Sequence, residues 1–470
     1  MAPLNHPGVT AVKFLIRWAA CAVIVSLISV SAFAQTGDFK KPVAKLDLKS
    51  GDSVVFLGDS ITHQCLYTQY VEDYYYTRYP KIRLRFHNAG VGGAQAWDAL
   101  ERFDRDVAAY KPKYVTILLG MNDGHYSPYN EKTFETYRKN MTEVIGRITS
   151  IKATPILITP TMFDSRAKRL RKSKWASSPA TLRMYNSVLS FYGTWLREVA
   201  VDNGYGFVDM FSPLCNITLQ QRKTDSKFQM IPDGVHPSAV GQVVMAVAIL
   251  QDMNAKRPVS FIHLQKVKRK TKGSRWASGG KVSDVVWTDD GVRFTWLANS
   301  LPWVLPEDAQ VGVKLTKLGH RMSREALSVN GLPLGWYQLS IDDQPVGTYP
   351  SRMITRFVEL EENSKTPQYQ QALAVAELNH QRNAGPVHAL RDEWYQFQKY
   401  SRMRAQSKRA PKTAGLSKSL IALEKLQEGR EARIKKLEQE AKVFEDKIFE
   451  INQPKPHRYE LKRVERRRRR

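Results

Sequence analysis

The chain has 470 residues, enough for one large domain or two to three ordinary ones, of which 42% are hydrophobic and 25% charged, the balance of a folded protein and not of a disordered one. Lys and Arg number 72 against 45 Asp and Glu, a net charge of +27, which points to an anionic partner without specifying the fold. Three cysteines exclude a disulfide-scaffolded mini-domain and a multi-cysteine zinc site.

At the N-terminus, Lys13 and Arg17 precede an apolar stretch over 19–30, followed by Ser31-Ala32-Phe33-Ala34. A basic flank, a short apolar run and small residues before a cut predict a secretory signal peptide over 1–34 and an exported, periplasmic or extracellular protein. The apolar run is about 12 residues, short of the roughly 20 that span a bilayer, so no transmembrane segment is expected after cleavage. Export leaves Cys65 and Cys215, which are expected to be buried thiols; their pairing cannot be read from spacing.

From 53 to 254 short apolar runs alternate with longer helical stretches. Strands are expected at 53–57, 82–87, 114–119, 155–158 and 205–208, and helices at 94–110, 131–149, 179–202 and 237–252. This alternation predicts a parallel sheet covered on both faces, whose ligands lie beyond the carboxyl ends of its strands. A basic run without an acidic residue, 256–275, reads as part of a linker over 255–284. Alternation such as Val292-Arg293-Phe294-Thr295-Trp296 predicts a small β-rich module over 285–350. A helical extension follows over 351–470, interrupted at Gly385-Pro386. From Leu416 to Ile451 it carries a 3–4 apolar spacing that resembles a coiled-coil seam, and it ends in Arg466–Arg470.

The chemistry lies in short segments of the α/β region. Gly58-Asp59-Ser60 follows the first strand and places a hydroxyl at a strand-to-helix turn, where a backbone N–H can stabilise negative charge. Asn88-Ala89-Gly90-Val91-Gly92-Gly93 follows the second strand, and its glycines allow close backbone approach. Gly120-Met121-Asn122-Asp123 follows the third and supplies an amide donor. Asp233-Gly234-Val235-His236 spaces a carboxylate and an imidazole so that one can orient the other.

Taken together and in this order, these blocks resemble those of the SGNH (GDSL-type) hydrolases over about 51–254. The resemblance implies a flavodoxin-like three-layer α/β/α fold with a five-stranded parallel sheet, to which the C-terminal β and helical modules are added. It implies Ser60 as nucleophile, His236 as general base and Asp233 as its orienting partner. The Ser60 N–H, the Gly93 N–H and the Asn122 amide would form the oxyanion hole, and Gly90 and Gly92 lie close enough in sequence to compete with Gly93. No metal or organic cofactor is implied. The expected reaction is hydrolysis of a short, acetyl-type ester of a carbohydrate through an acyl-enzyme. The alternatives are a lysophospholipase, lipase or thioesterase of the same family, or a non-catalytic envelope-binding protein.

His63 and His125 lie near the first and third blocks and read as ordinary hydrogen-bonded histidines before they read as catalytic ones. Trp97 and Trp195 read as core or helix-face residues. After the fourth strand, Arg166, Lys168, Arg169, Arg171, Lys172 and Lys174 crowd together and lead into Trp175. A cationic rim with an aromatic ring suits an anionic polysaccharide, so Arg169, Arg171, Lys172 and Trp175 are the expected substrate contacts; the competing reading is a solvated loop. Nucleic acid is the poorer partner for an exported protein.

Overall fold

A computed structural model of the protein describes residues 40–171, 178–267, 274–409 and 414–465. The expected signal peptide, Lys172, Lys174, Trp175 and the Arg466–Arg470 tail lie outside the described residues.

The first sheet holds β1 (Ser53–Gly58), β2 (Arg85–Gly90), β3 (Tyr114–Leu118), β4 (Thr154–Ile158) and β5 (Gly206–Val208). All its pairings are parallel, in the order β2-β1-β3-β4-β5. This is the expected flavodoxin-like order, in which the switch in direction at β1/β3 opens a crevice at the carboxyl ends. Every residue of β1 is buried, as a central strand sandwiched between helices must be. The intervening helices are α1 (Ser60–His63), α2 (Leu66–Arg78), α3 (Ala96–Asp106), α4 (Glu131–Ser150), α5 (Ser165–Leu170), α6 (Pro179–Asn203), α7 (Phe211–Arg222) and α8 (Ala239–Asp252). α2 packs on α8, and α3 on α4. The sequence reading lacks α2 because its face alternates poorly: the polar Gln69, Glu72, Asp73 and Arg78 are buried along with its tyrosines.

The remaining strands are β6 (Ser260–Gln265), β7 (Ser274–Ser278), β8 (Gly280–Trp287), β9 (Gly291–Ala298), β10 (Glu325–Asn330), β11 (Trp336–Ile341), β12 (Gln344–Pro350), β13 (Val358–Glu359) and, near the chain end, β14 (Pro456–Val464). They form a sheet β13-β10-β6-β7 and an antiparallel sheet β12-β11-β14-β9-β8. Their shared core includes Ile262, Phe294, Trp296, Leu339, Tyr459 and Leu461. Two expectations differ here. The segment read as a linker over 255–284 contributes β6, β7 and the start of β8, because the basic run sits among residues whose alternate side chains are buried. The β-module is not confined to 285–350 either: β14 returns from the far end of the chain and inserts between β11 and β9.

Three short helices, α9 (Gln310–Thr316), α10 (Leu318–Met322) and α11 (Ser351–Arg356), lie among these strands in the chain, and α12 (Pro367–Arg382), α13 (His388–Arg409), α14 (Ala414–Lys425) and α15 (Arg430–Ile451) follow them. α12 and α13 are joined by a kink at Asn383–Val387 where Gly385 leaves helical geometry, at the interruption expected from Gly385-Pro386. α12 packs on α2 and α15, while α13 crosses α3. Val375, Leu390, Trp394, Ile434 and Ile448 join the same hydrophobic core as β1. The 3–4 spacing therefore does not describe a free-standing coiled-coil seam; Ile434 and Ile448 are buried against the α/β layer. Charged pairs seal the junction. Arg391 is fully buried and donates to both oxygens of Asp106 (3.0 and 2.9 Å), and Arg382 donates to Glu72 (3.0 Å).

Candidate active site

Ser60 is positioned by close packing at two strand ends. Gly58 and Gly90 are register partners on β1 and β2. A Cβ on Gly58 would lie 2.0 Å from Thr62 Oγ1, and one on Gly90 would lie 2.3 Å from the His63 nitrogen. Only glycine lets α1 settle onto these ends. Asp59 caps α1, its Oδ1 accepting from the Ile61 N–H (2.9 Å), and Ser60 becomes the first helical residue with its N–H unused. Burial pushes the Asp59 carboxyl up to about 6 against the opposing pull of that hydrogen bond.

His236 Nε2 lies 2.8 Å from Ser60 Oγ, and its Nδ1 lies 2.7 Å from Asp233 Oδ2. Asp233 Oδ1 accepts from the N–H groups of Val235 (2.9 Å) and His236 (2.7 Å), which fixes the carboxylate before it meets the ring. Burial pushes Asp233 up, but the His236 ring hydrogen bond and these backbone N–H groups outweigh it and hold the carboxyl well below its usual range. An ionised Asp233 takes the Nδ1 proton as its hydrogen-bond donor, leaving Nε2 with a lone pair for the serine proton. The same hydrogen bond raises the His236 pKa above the ordinary imidazole value, against the effect of burial.

The expected oxyanion donors lie in the loops that follow β2 and β3. Asn122 Nδ2 donates to Ala94 O (3.1 Å) and lies 3.4 Å from Asp59 Oδ2, while Tyr126 Oη donates to Asn122 Oδ1 (3.1 Å). The amide is thus held between the neighbours of Gly93 and Ser60. Gln95 Nε2 donates to Asn122 O (3.0 Å), and Asp123 accepts from the Ala96 N–H (2.9 Å) with its carboxyl pushed by burial up to about 7. Among the glycines of the second block, Gly90 N–H donates to Asn88 Oδ1 (2.8 Å) and Gly92 N–H to His63 Nδ1 (3.1 Å). Among the described residues the N–H groups of Ser60 and Gly93 donate to no partner. Gly93 adopts φ +68°, a left-handed conformation suited to glycine. The geometry therefore separates Gly93 from its two competitors.

The basic segment reaches this site. Arg171 Nη1 lies 3.5 Å from Asp233 Oδ2, with its side chain 57% exposed. Lys168 packs beside Gly234, where an added Cβ would meet its side chain at 2.8 Å. Arg169 is exposed, whereas Arg166 donates to Ser226 O (3.2 Å); Lys172 and Trp175 lie outside the described residues. His63 is held at a pKa of about 4 by burial and by His388, and is neutral. His63 Nε2, His388 and Asp392 cluster within reach of a common cation. However, Nδ1 of His63 accepts from Gly92, so its proton sits on Nε2 and no lone pair remains for a metal. His125 lies 3.4 Å from Gln95 Nε2 through Nδ1. Trp195 packs against the core, and Cys65 and Cys215 are both free; burial pushes the Cys65 thiol up to about 12, which makes it inert.

A strand-end serine and a relay through His236 to Asp233 are the geometry of a serine hydrolase on an α/β/α fold. Residues 56–244 match the GDSL-like Lipase/Acylhydrolase family, and this part of the chain is similar to the ester-hydrolysing enzymes of that family. An acetylxylan esterase of Geobacillus stearothermophilus is 23% identical over 231 residues, which cover 44% of this chain and 96% of the relative. Among solved structures, BT4096, a gut microbial diltiazem-metabolizing enzyme, is 26% identical with a TM-score of 0.74, covering 90% of this chain and 100% of its own. A crystal structure of the Geobacillus stearothermophilus acetylxylan esterase Axe2 is 23% identical with a TM-score of 0.34, over 45% of this chain and 98% of its own.

Proposed function

We propose that the protein is an exported esterase that removes short acyl groups, acetyl above all, from an acidic carbohydrate. The observation that carries the chemistry is the unbroken relay Ser60–His236–Asp233, with contacts of 2.8 and 2.7 Å. In this reading Ser60 Oγ attacks the ester carbonyl carbon as its proton passes to His236 Nε2. The oxyanion forms against the Ser60 N–H, the Gly93 N–H and the Asn122 amide, which gives up its long contact with Asp59 Oδ2 (3.4 Å) to do so. Collapse expels the alcohol, which takes the proton from the His236 imidazolium. Water, deprotonated by the same ring, then releases the acyl group from Ser60 as the acid.

The choice of a carbohydrate ester is supported by the acetylxylan esterase relative. The acidic character is supported by Arg171 and Lys168 beside the Asp233–His236 segment, where exposed cations raise the local concentration of an anionic ligand. Export rests on the N-terminal signal-like sequence.

The test compares p-nitrophenyl esters of increasing chain length with acetylated neutral and uronic-acid glycans, at low and moderate salt. Ser60→Ala should abolish turnover on all of them. Replacing Arg169, Arg171 and Lys172 with Ser should lower activity on the acidic glycan, weaken its salt dependence and spare p-nitrophenyl acetate. Faster turnover of long acyl chains would favour a lipase, and equal loss on both substrates would make the basic segment structural.

A further inference from the structure

We propose that the C-terminal helix α13 completes the oxyanion hole, with Gln398 as the positioning residue that orients the Gly93 N–H. This rests on Gly93 N–H being an oxyanion donor. That N–H and the Gly92 carbonyl belong to the same peptide unit, and in a trans peptide they point in opposite directions. Gln398 Nε2 donates to Gly92 O (2.9 Å), so the helix holds the carbonyl and thereby turns the N–H away from itself.

A Gly-Gly peptide needs such a hold, because neither neighbour supplies a Cβ that would resist rotation of the peptide plane. The surrounding main-chain groups are secured as well. Gly92 N–H donates to His63 Nδ1 (3.1 Å), and Arg402 Nη2 donates to Gly93 O (2.7 Å). Arg402 is itself forked onto Asp98 (2.8 and 2.7 Å), and Asp98 accepts from the Gln95 N–H at the start of α3 (2.8 Å). With these groups engaged, the Gly93 N–H is left to face a developing charge. A donor on Gly92 O also polarises the peptide and strengthens its N–H as a donor.

The amide orientation of Gln398 is unambiguous, since its oxygen would repel Gly92 O. That oxygen, Oε1, is buried and has no partner among the described residues. The side chain therefore makes its one hydrogen bond to the Gly92 carbonyl.

The experiment measures kcat and KM for p-nitrophenyl acetate, together with thermal unfolding, in the full-length protein. Gln398→Leu removes the donor at similar volume and should lower kcat about tenfold, a fraction of the 10²–10³ attributed to a whole oxyanion donor. KM should stay within about twofold, as expected when an interaction made only in the transition state weakens. The melting temperature should change little, because loss of the orphan oxygen offsets loss of the bond to Gly92 O. Arg402→Met is the second variant; it leaves Asp98, 1% exposed, without its cation, so its unfolding is read beside its kinetics, and kcat should fall about threefold beyond any loss of folded protein through a looser Gly93. Asn122→Ala serves as the comparator, with an expected loss above 100-fold. Full kcat in both helix variants alongside a crippled Asn122→Ala would overturn the role of α13. Full kcat in Asn122→Ala would overturn the oxyanion-hole reading, and the proposal with it. A lower kcat that merely tracks a lower melting temperature would mark Gln398 as structural.

Discussion

Arg382→Met tests whether the C-terminal helices and the α/β layer form one cooperative structure. Glu72 on α2 and Arg382 on α12 have side chains 1% and 7% exposed and meet at 3.0 Å. Breaking a buried pair by removing one partner costs about 3–5 kcal/mol, because the remaining charge keeps its desolvation penalty. Asn383 Nδ2 still donates to Glu72 Oε2 (2.8 Å), so the lower end, about 3 kcal/mol, is expected. The loss should depend on pH with a definite sign. Burial already raises the Glu72 pKa despite the opposing Arg382 charge, and removing that charge raises it further. A carboxyl whose folded pKa lies above its unfolded value contributes most below the unfolded value, and its contribution falls as pH rises through the folded one. Arg382→Met should therefore be more destabilised at pH 8 than at pH 5, and adding Glu72→Gln should remove most of that difference. Urea unfolding followed in parallel by far-ultraviolet circular dichroism and esterase activity measures both effects. A loss below about 1 kcal/mol, the size of an exposed pair, would refute the shared core. So would a separate early transition that leaves activity intact.

Other outcomes follow from the titrating groups. Since only neutral imidazole can accept the serine proton, kcat/KM should rise with pH through the elevated pKa of His236, with its midpoint above the ordinary 6.5. Asp233→Asn removes the largest cause of that elevation and should lower kcat about 10⁴-fold; a pH profile flat from 5 to 9 with substrate saturating would contradict His236 as base. Away from the site, burial and the nearby Glu361 push the Glu325 carboxyl up from 4.5 to about 8, against Arg78. Its contribution to stability is fully present below the unfolded value and is lost as pH rises through about 8. Glu325→Gln should accordingly raise the melting temperature at pH 9 more than at pH 5, and an equal shift at both would exclude ionisation of Glu325 as the cause.

The parallel sheet and the residues of the relay were legible in the sequence because both are local. A central strand buried on both faces is a short apolar run, and a strand-end motif such as Gly58-Asp59-Ser60 carries its turn and its hydroxyl together. Asp233 and His236 are close enough along the chain for spacing alone to bring the carboxylate to the ring. The charge run after β4 likewise carried Arg171 to the site. Only the place of Gly93 in the second block set it apart from Gly90 and Gly92 in the sequence. The structure adds the acceptors that occupy the other two, Asn88 from within the block taking the Gly90 N–H and His63 from the end of α1 the Gly92 N–H. The place of 367–451 was hidden for the same reason. Its junction with the α/β layer is made partly by Arg382, Arg391, Gln398 and Arg402, which a hydropathy pattern counts as surface. Such groups can be buried only where partners such as Glu72 and Asp106 meet them, and the partners stand roughly 300 residues away in sequence. A pairing between groups so far apart leaves no periodicity in either segment, so tertiary packing alone decided which polar residues are interior.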